Sequence, residues 1–122
     1  MRRDLDLLRN ILLRIEELSS GSRFISIRDF LDLNQDPAVI SYHLSLLADA
    51  DMISYSDTAY FQDFPDYDIT RLTMYGCEYL DSVRDKGTWQ ATKTRLKSVG
   101  GGAALDVVKA LAVAVMKSKL GI

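Results

Sequence analysis

A mainly α chain with a small β-hairpin wing, built as a winged helix-turn-helix followed by a C-terminal helical extension, is the fold class predicted by three observations. Apolar residues recur at helical spacing on both sides of one stretch, residues 52 to 72, that is rich in β-branched and aromatic residues. The order helix, short strand, helix, turn, helix, hairpin, helix then fills residues 1 to 85, leaving 86 to 122 as the extension. A chain of 122 residues, 48% hydrophobic and 26% charged, is long enough to bury a core but short for two unrelated domains.

Each element has its own signal. In residues 3 to 18, Leu5, Leu8, Leu12, Ile15 and Leu18 form one stripe, widened by Leu7 and Ile11, and Ser19-Ser20-Gly21-Ser22 ends the helix. Arg23 to Ile27 reads as a short strand, and residues 27 to 33 as a brief second helix capped by Ser26. Asp36 before Pro37 starts a third helix through residue 50, with Val39, Ile40, Leu44, Leu47 and Ala48 as its stripe. Asp51 suits a left-handed C-terminal residue. Met52 to Tyr55 and Tyr67 to Leu72 predict a hairpin with a long tip, with a strand at Tyr60 to Phe64 as a further option. Thr73 caps a fourth helix with Met74, Cys77, Leu80 and Val83 inward. Gly87-Thr88 breaks the chain before a fifth helix carrying Trp89, Thr92, Leu96 and Val99. Gly100-Gly101-Gly102 reads as a joint, and residues 103 to 120 as a final helix.

The third helix is the expected recognition helix. Val39-Ile40-Ser41-Tyr42-His43-Leu44-Ser45-Leu46-Leu47-Ala48-Asp49-Ala50-Asp51-Met52-Ile53 resembles the recognition helix and first wing strand of arsenical-resistance-type repressors. Asp51 stands where those proteins usually have Gly, and no Cys pair is present, so their metal sensing does not carry over. A resemblance over nearly the whole chain is to domain-of-unknown-function family 2513. It rests on Met1 to Arg9, Ser41-Tyr42-His43-Leu44, Leu72-Thr73 with Gly76, Asp81 to Asp85 with Trp89, and Leu105 to Lys109. The resemblance implies a winged-helix fold in small bacterial and prophage-associated proteins, and it brings no catalytic residues.

Read as a DNA binder, the third helix offers Ser41, Tyr42, His43 and Ser45 to the major groove, on the side away from Leu44 and Leu47. Charge opposes this reading. Residues 29 to 85 hold two basic residues against twelve acidic ones, and the third helix and wing tip hold no Lys or Arg. Duplex affinity comes largely from neutralising phosphates, so the candidates for phosphate contact are Arg2, Arg3, Arg23, Arg28, Lys93, Arg95 and Lys97 from the two ends. The alternative is an acidic winged-helix module that binds a host nucleic-acid-handling protein through Asp63, Asp66 and Asp68 of the wing. On the last helix, Ala104, Val108, Leu111 and Val115 form a stripe suited to a homodimer.

No enzyme, metal or cofactor is expected. One Cys and one His give neither a disulfide framework nor a zinc set, the wing aspartates fit no EF-hand spacing, and the glycine triplet lacks the Lys and Ser/Thr of a P-loop. The seven-residue uncharged run Ala110 to Met116 is too short to span a bilayer. With no secretory pattern at the start, the expected compartment is the cytoplasm.

Overall fold

The computed structural model describes residues 1–100 and 104–122. Among these the order is α1 (Leu5–Leu18), a 3-10 turn (Ile27–Phe30), α2 (Pro37–Asp49), β1 (Ile53–Phe61), β2 (Phe64–Leu72), α3 (Met74–Val83), α4 (Lys86–Ser98) and α5 (Leu105–Leu120). This is a winged-helix-like arrangement followed by C-terminal helices. The chain divides into two compact units, Met1–Cys77 and Glu78–Ile122, with the boundary inside α3.

In the first unit, α1 starts at Asp4, whose carboxylate accepts from the Leu7 amide at 3.1 Å. Its Leu8, Ile11, Leu12 and Ile15 are buried together with Ile40, Leu44 and Leu47 of α2, as the helical spacing predicts. Asp36 caps α2 by accepting from Ala38 at 2.9 Å, and Asp51 takes the left-handed conformation (φ 56°) that turns the chain into β1. The second helix is shorter than expected, one 3-10 turn, closed by the Asp29 carboxylate accepting from the Ser26 amide. The expected strand at Arg23 to Ile27 is reduced to a single bridge, Ile25 with Ile69.

The hairpin also differs from the expectation of a long tip. β1 and β2 pair antiparallel out to Phe61 and Phe64, around a two-residue turn in which Gln62 has φ 55°. The Tyr60–Pro65 pair carries the ladder past the proline; in a two-stranded sheet both strands are edges, so the amide that Pro65 lacks has an open side to face. Irregularities between Ser54 and Tyr55 and between Tyr55 and Thr58 break the register twice on the way.

Thr73 caps α3 as expected, its hydroxyl accepting from the Gly76 amide at 3.0 Å. The face of α3 is rotated from the predicted one: Met74 and Cys77 are exposed, whereas Tyr79, Leu80 and Val83 are buried. Gly76 explains the rotation. A Cβ there would lie 2.1 Å from the Met52 carbonyl oxygen, so only glycine permits this approach, and it turns the 76 side of the helix inward.

In the second unit, the break falls at Asp85 and not at Gly87-Thr88. Asp85 accepts from the Thr88 amide at 2.8 Å and Gly87 lies within the first turn of α4. Trp89, Thr92 and Leu96 of α4 are buried, while Val99 is exposed. On α5 the buried residues are Val108, Ala112 and Val115. Lys119 near the end of α5 reaches Asp85 and Thr88 at the start of α4, so the two helices run antiparallel. The expected joint lies outside the described residues except for Gly100, which has φ 104°.

Candidate nucleic-acid interface

The outward edge of α2 is narrower than its sequence suggests. Two of the four expected groove readers point into the first unit. Ser41 is buried, and its hydroxyl donates to the Pro65 carbonyl at 2.6 Å, tying α2 to the hairpin near its turn. His43 is 1% exposed. Its Nδ1 lies 2.8 Å from the Val39 carbonyl and its Nε2 3.0 Å from the Asp4 amide, so the ring donates from Nδ1 and accepts at Nε2. Both side chains are spent on part-buried backbone groups of other segments or of the preceding helical turn. Neither is placed to meet a groove.

Tyr42 and Ser45 do lie on the outer half of the helix, half-buried, with the Ser45 hydroxyl donating to the Tyr42 carbonyl. Asp49 continues that edge and is exposed. The hairpin beside it is rich in tyrosine: Tyr55 and Tyr67 meet edge to face at 5.0 Å, and Tyr60 is 76% exposed. Burial raises the Tyr67 hydroxyl above its usual range, helped by Tyr55 and by the nearby Asp49 and Asp66 carboxylates. The face is thus phenolic and acidic.

Asp66 does not belong to the solvated acidic cluster of the wing. It is buried, and one carboxylate oxygen accepts from the Ile27 amide at 3.0 Å and from Tyr67 at 2.7 Å. It latches the 3-10 turn to the hairpin. Burial pushes its carboxyl upward, the two amides oppose that, and the net direction is up. Asp57 and Asp63 remain exposed, and Asp68 is half-buried.

The basic candidates separate by what they already hold. Arg23 grips Asp29 with both terminal nitrogens, at 3.1 and 2.8 Å, which removes it as a ready phosphate ligand. Burial alone would raise the Asp29 carboxyl, but Arg23, the Ser26 amide and Arg28 bring it below the ordinary range. Arg14, absent from the sequence-based candidates, forks onto Asp32 at 2.9 and 2.8 Å and also donates to the Asp29 carbonyl. Arg2 and Arg3 are exposed, immediately before Asp4, whose amide is bonded to His43; that bond sets the start of the chain against α2. Arg28 is exposed beside Asp29 and Asp66.

In the second unit, Lys93, Arg95 and Lys97 lie on α4, with Lys93 5.8 Å from the centre of the Trp89 ring. Of the four dimer candidates on α5, Val108 and Val115 are buried, Leu111 is half-buried and Ala104 is exposed, so the expected stripe largely faces inward. Among the described residues, no group of three or more His, Cys, Asp or Glu is placed to hold a metal ion, and no helix is long and apolar enough to cross a membrane.

Comparison with known proteins gives the chain a family. It is 32% identical over 121 residues to an uncharacterized protein of Haemophilus influenzae, an alignment covering 98% of this chain and 99% of the relative. No solved structure matches it. The family described as Hypothetical protein (DUF2513) matches residues 2–103. The chain belongs to the DUF2513 family.

Proposed function

We propose that the chain is a small DNA-binding winged-helix regulator of phage or mobile-element type. The outer edge of α2 meets the major groove through Tyr42 and Ser45, and Arg2 and Arg3 contact phosphates beside it. The observation that carries this reading is the bond from the Asp4 amide to His43, which ties the arginine-bearing start of the chain to α2. Phosphate contacts position a protein on DNA and outward side chains read the bases, so cations flanking Tyr42 are what a groove-reading helix without its own Lys or Arg requires. A homodimer suited to paired half-sites would use Val107, Ala110, Leu111 and Ala114 of α5, because Val108 and Val115 are inside.

The test is a titration against mixed duplex DNA at 50 and 200 mM salt. A protein making six or more phosphate contacts loses about a thousandfold in affinity over that range. Absence of binding at 50 mM salt overturns the reading.

A second reading is favoured by the Asp49, Tyr55 and Tyr67 cluster together with Asp57, Asp63 and Asp68. Tyrosine-rich surfaces with complementary charge suit protein partners, and this one fits a basic protein that handles nucleic acid. Changing Asp57, Asp63 and Asp68 to Asn would then abolish capture of that partner while leaving the fold intact. Asp66 is excluded from that set because it is a buried latch.

A further inference from the structure

We propose that the exposed face of α4 is the principal phosphate grip of the protein, binding the backbone of duplex DNA through Lys86, Lys93 and Lys97. The proposal rests on the DNA-binding reading and places the electrostatic contact in the second unit. The first unit carries seven basic residues against thirteen acidic ones and the second eight against four, so a polyanion meets attraction chiefly in the second.

Within that unit most of the cations fall into two sets, with Lys117 exposed near the end of α5. Lys109 and Lys119 on α5 are paired with Glu78 at 3.2 Å and Asp85 at 3.3 Å, and Arg84 with Asp81 at 2.6 Å. Lys86 and Lys97 on α4 form no ion pair among the described residues, and Lys93 leans over the Trp89 ring. No Asp or Glu occurs from Lys86 to Leu105. With 3.6 residues per turn, Lys86, Gln90, Lys93 and Lys97 fall within an arc of about 60° and span about 17 Å of axis. One DNA strand carries about five phosphates over that length.

Helix stability does not account for the whole set. Lys97 suits the C-terminal end of the helix dipole, but Lys86 stands in the first turn, where the dipole disfavours a cation. A membrane surface is a poorer occupant. The large apolar residues of α4, Trp89 and Leu96, are 2% and 3% exposed, leaving no apolar face to insert among acyl chains. Arg95 lies outside the arc and contributes less.

The experiment compares full-length protein with the triple variant Lys86→Gln, Lys93→Gln, Lys97→Gln and with the double variant Arg2→Gln, Arg3→Gln, using mixed duplex DNA from 50 to 200 mM salt. Circular dichroism verifies that each variant folds. The expected result is a slope of log affinity against log salt reduced by about 2.7 in the triple variant, and at 50 mM salt an affinity loss larger than that of the double variant. An unchanged slope in the triple variant, with the unaltered protein still binding, overturns the α4 grip and leaves the DNA reading standing. Loss of binding in the triple variant, with Tyr42→Ala and Ser45→Ala leaving sequence preference unchanged, supports the grip and overturns recognition through α2. No DNA binding by the unaltered protein at 50 mM salt overturns both. Low-salt self-association that the triple variant abolishes, without any change in DNA binding, assigns the stripe to the acidic surface of a second copy and overturns the proposal.

Discussion

Helices α2 and α4 are both thirteen residues long and both begin at an aspartate whose side chain accepts from an amide of the first turn. Their polar residues have opposite fates. On α2 the hydroxyl of Ser41 and the ring of His43 are turned inward onto backbone groups of the hairpin and the chain start, and the helix holds no Lys or Arg. On α4 Lys86, Arg95 and Lys97 are exposed and Lys93 is half-buried over the Trp89 ring. The helix whose place in the chain marks it as the reader is thus built into the frame, while the helix with no recognised role presents the charge. Position in a fold assigns a helix its neighbours; the chemistry left exposed decides what it can touch.

The contrast is sharpest in stability. Leu47→Ala on α2 is expected to cost about 2 to 5 kcal/mol, because Leu47 is 1% exposed and sits among Ile40 and Leu44; urea denaturation measures it. A cost below about 1 kcal/mol would mean that α2 does not pack as described.

His43→Ala removes an acceptor from the Asp4 amide and a donor to the Val39 carbonyl, and Ser41→Ala removes a donor from the Pro65 carbonyl. Each is expected to cost about 0.5 to 1.5 kcal/mol, the net worth of a hydrogen bond to a part-buried backbone group. The nitrogen chemical shifts of His43 in the unaltered protein should also report a protonated Nδ1 and an unprotonated, hydrogen-bonded Nε2. If these substitutions left stability unchanged but altered DNA sequence preference, His43 and Ser41 would be groove readers after all.

Asp66→Asn tests the latch through pH. Burial holds the Asp66 carboxyl above its ordinary value of 3.8, so its ionised form is disfavoured in the fold. The contribution of this group is therefore most favourable below the unfolded value and is lost as pH rises through the folded one. The Asn variant keeps an oxygen for the Ile27 and Tyr67 amides without that loss, so its stability relative to the unaltered protein should be higher at pH 7 than at pH 3. Thermal melts across that range read the difference, and a gap running the other way would show a carboxylate stabilised by charge.

The smallest effect belongs to α4. The triple change of Lys86, Lys93 and Lys97 to Gln should shift stability by less than about 1 kcal/mol, since surface substitutions away from buried contacts are mostly within about 0.5 kcal/mol each. A large loss would place these lysines in the frame, and the distinction from α2 would fail.

Local signals made much of the fold legible. The caps at Asp36 and Thr73, the left-handed Asp51 and the stripe Ile40, Leu44 and Leu47 all depend on residues within a few positions of one another, which is why the sequence alone locates them. The length of the hairpin strands was less legible. The Asp-rich stretch with Pro65 reads as loop unless the partner strand is known, and pairing with Tyr60 supplies it. The face of α3 escaped for a similar reason: the spacing of Met74, Cys77 and Leu80 is as helical as that of Gly76, Leu80 and Val83, and the choice between them is made by the Met52 carbonyl lying against Gly76.

The sequence by itself determined the elements, their order and the family, together with the division of charge between an acidic middle and basic ends. Only the tertiary structure decided which polar residues serve the frame. Ser41 and His43 lie on the two flanks of the apolar stripe of α2, where a helical wheel permits either sense. Their direction was set by a carbonyl 24 residues away and an amide 39 residues away, and Asp66 likewise answers an amide 39 residues back along the chain. A buried backbone group must find a partner, and which side chain supplies it is decided by where distant segments come to rest.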